Sequence, residues 1–272
     1  MLHNLAQLPR YRGLIQSLVA RELKARYRGS VLGFFWSFIN PLLLLLIYTY
    51  VFAYIMPPRF LGGDDPKPFS DAHPYALFLF CGLLPWTWFA SSLNESAGVL
   101  ITGGNLIKKV LFPAEVLPIV TALANMVHFF FGLPILALFL AYYNAPITLS
   151  ELAWFPVIVL VQLALTLGLG LLIAALTVHF RDIRDILSNL LTLWFFATPI
   201  IYPWQHAPDL GKWFLNINPF THLAISYQEV LFFNGPFGHW KWLLALGAAA
   251  LVFFLFAYFV FDRLRDTFAE EV

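Results

Sequence analysis

The sequence predicts an all-α membrane protein with six transmembrane helices and with both termini on the cytoplasmic side. Six apolar stretches contain no Asp, Glu, Lys or Arg, and each is near or above the roughly 20 residues that a helix needs to cross a bilayer. Within lipid, every backbone N–H and C=O must be satisfied inside its own segment, so helix is the expected state. The stretches are residues 31–56, 75–93, 116–142, 152–178, 186–202 and 242–261.

Composition and charge distribution support this topology. Charged residues make up 11% of the chain, against roughly 25% in soluble domains. Most of the 16 Lys and Arg residues precede the first stretch, separate the second from the third and the fourth from the fifth, or follow the sixth. Because positive residues are retained on the cytoplasmic side, we divide the chain into a cytoplasmic segment (1–30), a transmembrane domain (31–262) and a short cytoplasmic tail (263–272).

The segment before the first stretch is predicted to form an amphipathic helix at the membrane interface. Apolar residues between Leu14 and Tyr27 recur at spacings of three and four, which gathers them on one helical face. Arg21, Lys24 and Arg28 fall on another face. Such a helix lies with its apolar side at the lipid boundary and its basic side among the headgroups. Either it is a general positive-inside anchor, or its basic face also meets a phosphate-bearing lipid or a partner.

Two further features concern the spans and the outer surface. Prolines at positions 41, 85, 134 and 199 interrupt four of the stretches and predict kinks. Residues 203–239 place Leu223, Tyr227 and Val230 on one helical side and carry several tryptophans, which prefer the membrane–water boundary. This segment is predicted to form an outer re-entrant or interfacial helical hairpin between spans five and six.

Familiar catalytic motifs are absent from the sequence. It contains no G-x-x-x-x-G-K-[ST] phosphate loop, no H-E-x-x-H and no G-x-S-x-G. His128 is the ionisable residue within the apolar stretches, and we expect it to pack or hydrogen-bond between helices with Asn125 as a neighbour. Residues 179–185 alternate arginines with acids, which favours a self-paired turn over a metal site. A non-catalytic chain without a cofactor or metal of its own is therefore expected.

Four local patterns, taken in order, resemble one family. They read RELKARYRGSVLGFFWSFINPLLLLLIYTYVF at the first span, and GLLPWTWFASSLNESAGVLITGGNLIKKVLFPAEVLP at the second span and the loop after it. Further on come HFRDIRDI followed by TPIIYP, and then NPFTHLAISYQEVLF. The chain thus resembles the transmembrane subunits of ABC-2 type exporters of O-antigen, capsular polysaccharide or teichoic acid.

This resemblance implies partners and a place in the cell. Such subunits form homodimers in the bacterial cytoplasmic (inner) membrane and pair with two copies of a separate ATPase, which binds ATP and magnesium. Their substrate is a lipid-linked polysaccharide, and nucleic acid is not an expected partner. The loop 98–113 would hold the coupling helix, with an apolar patch for a groove in the ATPase and two lysines at its rim. Its residues are Asn105, Leu106, Ile107, Lys108, Lys109, Val110 and Leu111.

Aromatic and basic residues are the candidates for substrate contact. Aromatic rings offer a sugar chain flat apolar surfaces without a fixed hydrogen-bond register, although the same rings could simply pack between helices. Arginine binds phosphate oxygens in a bidentate fork, so Arg21, Arg26 and Arg28 are candidates for loading a lipid pyrophosphate. The aromatic candidates are Phe34, Phe38, Tyr48 and Phe52 in the first span and Trp194, Phe195 and Tyr202 in the fifth.

Three alternatives stay open at this point. A membrane enzyme acting on lipid-linked sugars would need paired carboxylates or a His/Asp pair, and only residues 179–185 offer any. A secondary transporter would show an internal repeat or buried ionisable groups, and neither is seen. An ABC-2 exporter of a small lipid or drug fits the same topology. Among polymers, O-antigen is expected first, and capsule or teichoic acid next.

Overall fold

Helices make up all the regular secondary structure in the part of the chain that the computed structural model describes. The described residues are 8–51, 55, 72–104, 112–143, 149–206, 209–233 and 235–271. The α-helices in them are α1 (Arg12–Arg26), α2 (Trp36–Tyr50), α3 (Ala72–Thr102), α4 (Val116–Tyr142), α5 (Leu149–Leu152), α6 (Phe155–His179), α7 (Ile183–Phe196), α8 (Asp209–Ile217), α9 (Pro219–Leu231) and α10 (Trp240–Glu271).

Five helical segments within the described residues are long and apolar enough to cross a membrane. They match five of the six predicted spans, and Pro41, Pro85 and Pro134 lie inside three of them. The five are Gly33–Tyr50, Tyr75–Thr102, Val116–Tyr142, Ser150–His179 and Trp240–Phe268.

The prediction of a helix over residues 186–202 is wrong at its C-terminal end. In the structure α7 has 14 residues and ends at Phe196, so it is about 21 Å long at 1.5 Å per residue. Two groups stop it: Thr198 Oγ donates back to the carbonyl of Trp194, and Pro199 cannot donate a backbone hydrogen bond. Asn218 Nδ2 then donates to the Ala197 carbonyl at 3.1 Å, which satisfies a helix-end acceptor from outside the helix.

The same asparagine begins α9. Asn218 is the N-cap, and its Oδ1 accepts the backbone N–H of Phe220 at 3.0 Å, with Pro219 at the first helical position. Two short helices, α8 and α9, therefore fill the region predicted as a helical hairpin. Almost all of α9 is buried, with Phe220, Leu223 and Tyr227 in the main core.

Helix α3 lies at the centre of the bundle and packs against α2, α4, α6, α7 and α9. Its core side chains include Phe78, Phe80, Trp88 and Phe89. On the far side of α6, α10 runs along most of that helix. A Cβ added at Gly168 of α6 would lie 2.9 Å from the Phe253 ring and 3.2 Å from the Phe254 Cα. The α6–α10 pair is thus a close contact of backbones.

The N-terminal helix α1 is docked on the protein. Leu18 is buried against Val116 and Val120 at the start of α4, and Leu14 and Ile15 pack at the edge of the same cluster. The sequence pattern predicts this apolar face at the lipid boundary. The structure corrects that prediction, because the face contacts α4 of the same chain.

Candidate functional site

A cluster of polar side chains joins the end of α1 to two of the long helices. Arg26, the last residue of α1, donates through Nη2 to Glu95 Oε2 on α3 at 2.5 Å and through Nη1 to Asn125 Oδ1 on α4 at 3.0 Å. Asn125 Nδ2 closes the triangle by donating to Glu95 Oε2 at 2.8 Å. We call Arg26, Glu95 and Asn125 the polar junction. It fixes the relative positions of three helices by charge-assisted hydrogen bonds.

The guanidinium of Arg26 is paired within the chain. Arg26 Nε also lies 3.6 Å from Glu22 Oε1 one turn earlier on α1, so the guanidinium faces two carboxylates. Its side chain is 23% exposed, and that of Glu95 is 39% exposed. The positive charge of Arg26 is therefore neutralised by carboxylates of the same chain.

A second chain of hydrogen bonds runs beside the junction. Ser37 Oγ donates to the Tyr27 hydroxyl at 2.8 Å, and the Tyr27 hydroxyl lies 3.2 Å from His128 Nδ1. Tyr27 thus links Ser37 of α2 to His128 of α4 through Nδ1, and the other ring nitrogen of His128 is Nε2. That Nε2 is buried and has no hydrogen-bond partner among the described residues.

Both polar groups border a cavity of about 630 Å³ between α2, α3, α4 and the end of α1. This volume is within the usual range of small-molecule sites, roughly 300–1,000 Å³. Its apolar part is formed mainly by Trp36, Leu44 and Ile47 of α2, with Leu84 and Trp88 of α3. The polar part of the lining is formed by Arg26, Tyr27, Ser37, Asn40, Thr87, Ser91, Asn125 and His128. The cavity can therefore both hydrogen-bond a ligand and offer it apolar contact.

The three arginines predicted for phosphate loading are not equivalent. Arg21 and Arg28 are exposed, whereas Arg26 is half-buried in the polar junction. The expected neighbourhood of Asn125 and His128 is present, since both line the cavity.

The predicted aromatic residues fall into two packed groups. Phe34 and Phe38 contact Phe131 of α4 with ring centroids 4.8 and 5.2 Å apart. Trp194 lies 5.3 Å from Phe89 by ring centroids, and its Nε1 donates to Asn218 Oδ1 at 2.6 Å. The remaining described candidates, Phe195, Tyr48 and Tyr202, are half-buried, and Phe52 lies outside the described residues.

The predicted coupling segment, Asn105–Leu111, also lies outside the described residues, but the residues just after it are described. Glu115 precedes α4 and is 3% exposed, and its Oε2 lies 3.7 Å from Arg265 Nη1 on α10. A buried carboxylate needs such a counter-charge. The chain just after the coupling segment is thus held against α10.

The loop after α6 differs from its prediction. Arg181, Asp182, Arg184 and Asp185 are exposed, and the described structure shows no salt bridge among them. His179 instead lies with Nε2 3.1 Å from Thr267 Oγ1 on α10. Across the described residues, no group of three or more His, Cys, Asp or Glu side chains is placed to hold a metal ion.

Sequence comparison relates this chain to known transport proteins. The family model described as ABC-2 type transporter matches residues 13–232. The O-antigen export system permease protein RfbA of Myxococcus xanthus is 41% identical over 275 residues, covering 100% of both chains. A protein of the same name from Klebsiella pneumoniae is 32% identical over 94% of both chains. The polysialic acid transport protein KpsM of Escherichia coli is 26% identical over 80% of both.

Proposed function

Since the chain belongs to the ABC-2 type transporter family, we propose that it is the membrane subunit of an ATP-driven exporter of a polysaccharide, with O-antigen as the first candidate. The observation that carries this proposal is the identity of 41% along the full length of a protein named as an O-antigen export permease. The substrate would be lipid-linked and would cross the bacterial inner membrane.

A deletion strain tests the proposed substrate. Cells that lack this chain should lose the polymer from their surface and accumulate it, linked to lipid, on the cytoplasmic side. A plasmid copy should restore both. Normal surface polymer in the deletion strain, or a defect confined to drug resistance, would contradict the proposal and favour a small-lipid or drug exporter.

The proposed topology has six spans with both termini in the cytoplasm. Helix α7 would be a short fifth span, followed by the turn at Pro199 and the α8–α9 hairpin on the outer side. Helices α2 and α7 both flank α3 and leave large apolar residues exposed, which we propose a second copy of the chain covers. Among these residues are Leu46, Ile186, Leu190 and Leu193. The aromatic residues of α2 and α7 would then border the path at this homodimer interface.

Residues 105–111 would couple ATP hydrolysis to transport. The proposal places them in a cleft of a separate ATPase subunit, which supplies the bound ATP and magnesium. The support is positional: the segment begins after α3 and returns at Glu115, whose carboxylate is tied to Arg265. A force on this loop would therefore reach α3, α4 and α10.

The coupling proposal predicts a separation of folding from transport. Replacing Leu106 and Ile107 with Asp should leave the chain at normal levels in the membrane but abolish export and co-purification with the ATPase. Gln16→Asp on the exposed side of α1 is the control for added negative charge near the same membrane face. Export by the double variant at the control's rate would rule out the coupling role.

Phosphate loading is proposed for the exposed basic surface of α1. Arg21 and Arg28 are accessible there, while Arg26 is held by Glu95 and Glu22. Arg21→Gln with Arg28→Gln should weaken binding of the lipid-linked pyrophosphate, measured with the chain in nanodiscs. Unchanged binding by a folded double variant would exclude this surface.

A further inference from the structure

The cavity between α2, α3 and α4 contains hydrogen-bonding groups that the chain itself does not satisfy. The side chains of Asn40 and Ser91 line it, and neither makes a hydrogen bond within the described part of the chain. His128 Nε2, also among the lining residues, is buried without a partner there. All three residues lie on candidate membrane spans, where unsatisfied polar groups are costly.

The chemistry of these groups is mixed. A serine hydroxyl and an asparagine amide each donate and accept, and His128 Nε2 does one or the other according to the tautomer of the ring. A ligand that fits must therefore also donate and accept. Hydroxyl groups do both, whereas a phosphate offers acceptors alone and leaves the Asn40 carbonyl oxygen unpaired.

The charges around the cavity also favour an uncharged, hydroxyl-bearing ligand. The Arg26 guanidinium is the cationic group of the lining, and it is already paired with Glu95 and Glu22. The Glu95 carboxylate is not part of the lining, but it lies 2.5 Å from Arg26 Nη2 and would repel an anionic ligand bound at that arginine. An uncharged ligand would not need to break the junction.

The remaining walls suit the apolar C–H faces of sugar rings. Trp36 offers a flat surface, and Leu44 and Ile47 extend the apolar side along α2, whereas Trp88 is 2% exposed and contributes little more than its edge. We propose that this cavity, within a single copy of the chain, binds an uncharged, hydroxyl-rich sugar unit. This deepens the proposed function and rests on it, because the pyrophosphate of that substrate would bind at Arg21 and Arg28 and the sugar joined to it would enter the cavity.

Photolabelling with a defined probe tests the site. The full-length chain in nanodiscs would be exposed to an alkyl glucoside with a diazirine on its alkyl chain, and labelled peptides would be identified by mass spectrometry. We expect labels on α2 and α3 at the cavity. Unlabelled alkyl glucoside should compete about tenfold better than the alkyl phosphate of the same chain length, a difference of about 1.4 kcal/mol.

Cavity-filling variants make the test specific. Thr87 is exposed and lines the cavity, and among the described residues its side chain bonds only within its own helix, donating to the Leu83 carbonyl at 2.9 Å. Thr87→Trp should lower cavity labelling about tenfold, and Leu44→Trp provides a second filling variant if the first does not fold. Leu138→Trp is the control, because Leu138 is 68% exposed on α4 and is not part of the lining.

Two results would overturn the assignment. One is cavity labelling that persists in a folded filling variant, and the other is equal or better competition by the alkyl phosphate. Labelling is read on the purified chain, whereas complementation of the deletion strain reports export. A failed labelling experiment with intact complementation would therefore remove the sugar site and leave the proposed function standing.

Discussion

The α6–α10 pair and the α2–α3–α4 group are both built from apolar helices but pack in different ways. Between α6 and α10, Gly168 and Gly247 let the helices approach closely, and Leu171, Ala174 and Phe261 fill a continuous core. Such small residues are typical of tight helix contacts in membranes. Around α2, by contrast, only Ser37 and Leu45 of its 15 residues are buried, and a cavity lies beside its contact with α3.

This difference in packing indicates that the two regions have different roles. Helix α2 is held to its neighbours by few buried apolar contacts and by polar bonds near its start, so it can be displaced at a low cost in packing. The α6–α10 contact has no comparable freedom, because closely packed cores deform little. We infer that α6 and α10 form the scaffold and that α2 is the element that moves during transport.

The largest expected effect comes from damaging the scaffold. Gly168→Ala places a Cβ against Phe253 and the backbone of Phe254, and overpacking of this kind costs about 1–3 kcal/mol. The loss of stability can be measured as the temperature at which the purified chain ceases to be monodisperse.

Gly98→Ala is the matched control, since nothing lies within 4 Å of a Cβ added there and the residue is also helical. It should be neutral or stabilising by up to about 1 kcal/mol. Equal losses for both variants would contradict the contrast between the two regions.

A smaller effect is expected at the polar junction. Glu95→Gln keeps the shape of the side chain but removes the charge that faces Arg26 at 2.5 Å. For this partly exposed pair we expect a loss of about 1–2 kcal/mol, together with faster hydrogen exchange in α1.

Glu22→Gln makes the same chemical change to the other partner of Arg26, at 3.6 Å on the same helix. Pairs of this type contribute about 0.3–0.5 kcal/mol, so exchange in α1 should hardly change. If Glu22→Gln loosened α1 as much as Glu95→Gln, the junction would not be what docks α1 on α3 and α4.

The smallest expected effect is the change of stability with pH, and it concerns two histidines at the start of the scaffold helix α10. His222 Nδ1 and His239 Nε2 lie 2.9 Å apart beside the start of α10. Burial, and then the neighbouring His222, lowers the pKa of His239 to about 4, and burial also lowers the pKa of His222. The unfolded chain therefore binds more protons below about pH 6.5, and stability falls as the pH drops from there towards 4.

Acidification from pH 7.5 to 5.5 should destabilise the chain by on the order of 1 kcal/mol through these histidines. Nearby Glu229 acts in the opposite sense, since burial raises its pKa. His239→Gln isolates the histidine contribution, and its stability should depend less on pH than that of the unchanged chain. An unaltered pH dependence in the variant would show that the pair does not titrate in this range.

Hydropathy and charge were sufficient to predict five of the spans, because the absence of charged residues over about 20 positions leaves helix as the one stable state in lipid. The end of α7 was not predictable in this way. Pro199 is visible in the sequence, but a proline in an apolar stretch also fits a kinked span, as at Pro41, Pro85 and Pro134. In the structure the helix ends instead, and Asn218, 21 residues later, binds the Ala197 carbonyl. A local pattern cannot show such a contact.

The polar junction was missed for a related reason. Glu95 lies just after the charge-free stretch that ends at residue 93, although α3 continues to Thr102. Thr87, Ser91 and Glu95 recur at a spacing of four, which places them on one face of α3 and was a usable signal. The partners of Glu95, Arg26 and Asn125, lie 69 and 30 residues away, and the sequence pattern holds no information about that pairing.

The most direct test of the division between scaffold and moving helix is a pair of distance measurements in the assembled transporter. With buried Cys81 replaced by Ser, spin labels would be placed at exposed Leu43 and Leu138 to report α2–α4, or at exposed Leu160 and Leu251 to report α6–α10. Labelled chain would be diluted with unlabelled chain. We predict that adding ATP to the complex shifts or broadens the α2–α4 distances and leaves the α6–α10 distances unchanged; a shift confined to α6–α10, or equal shifts in both pairs, would contradict the account.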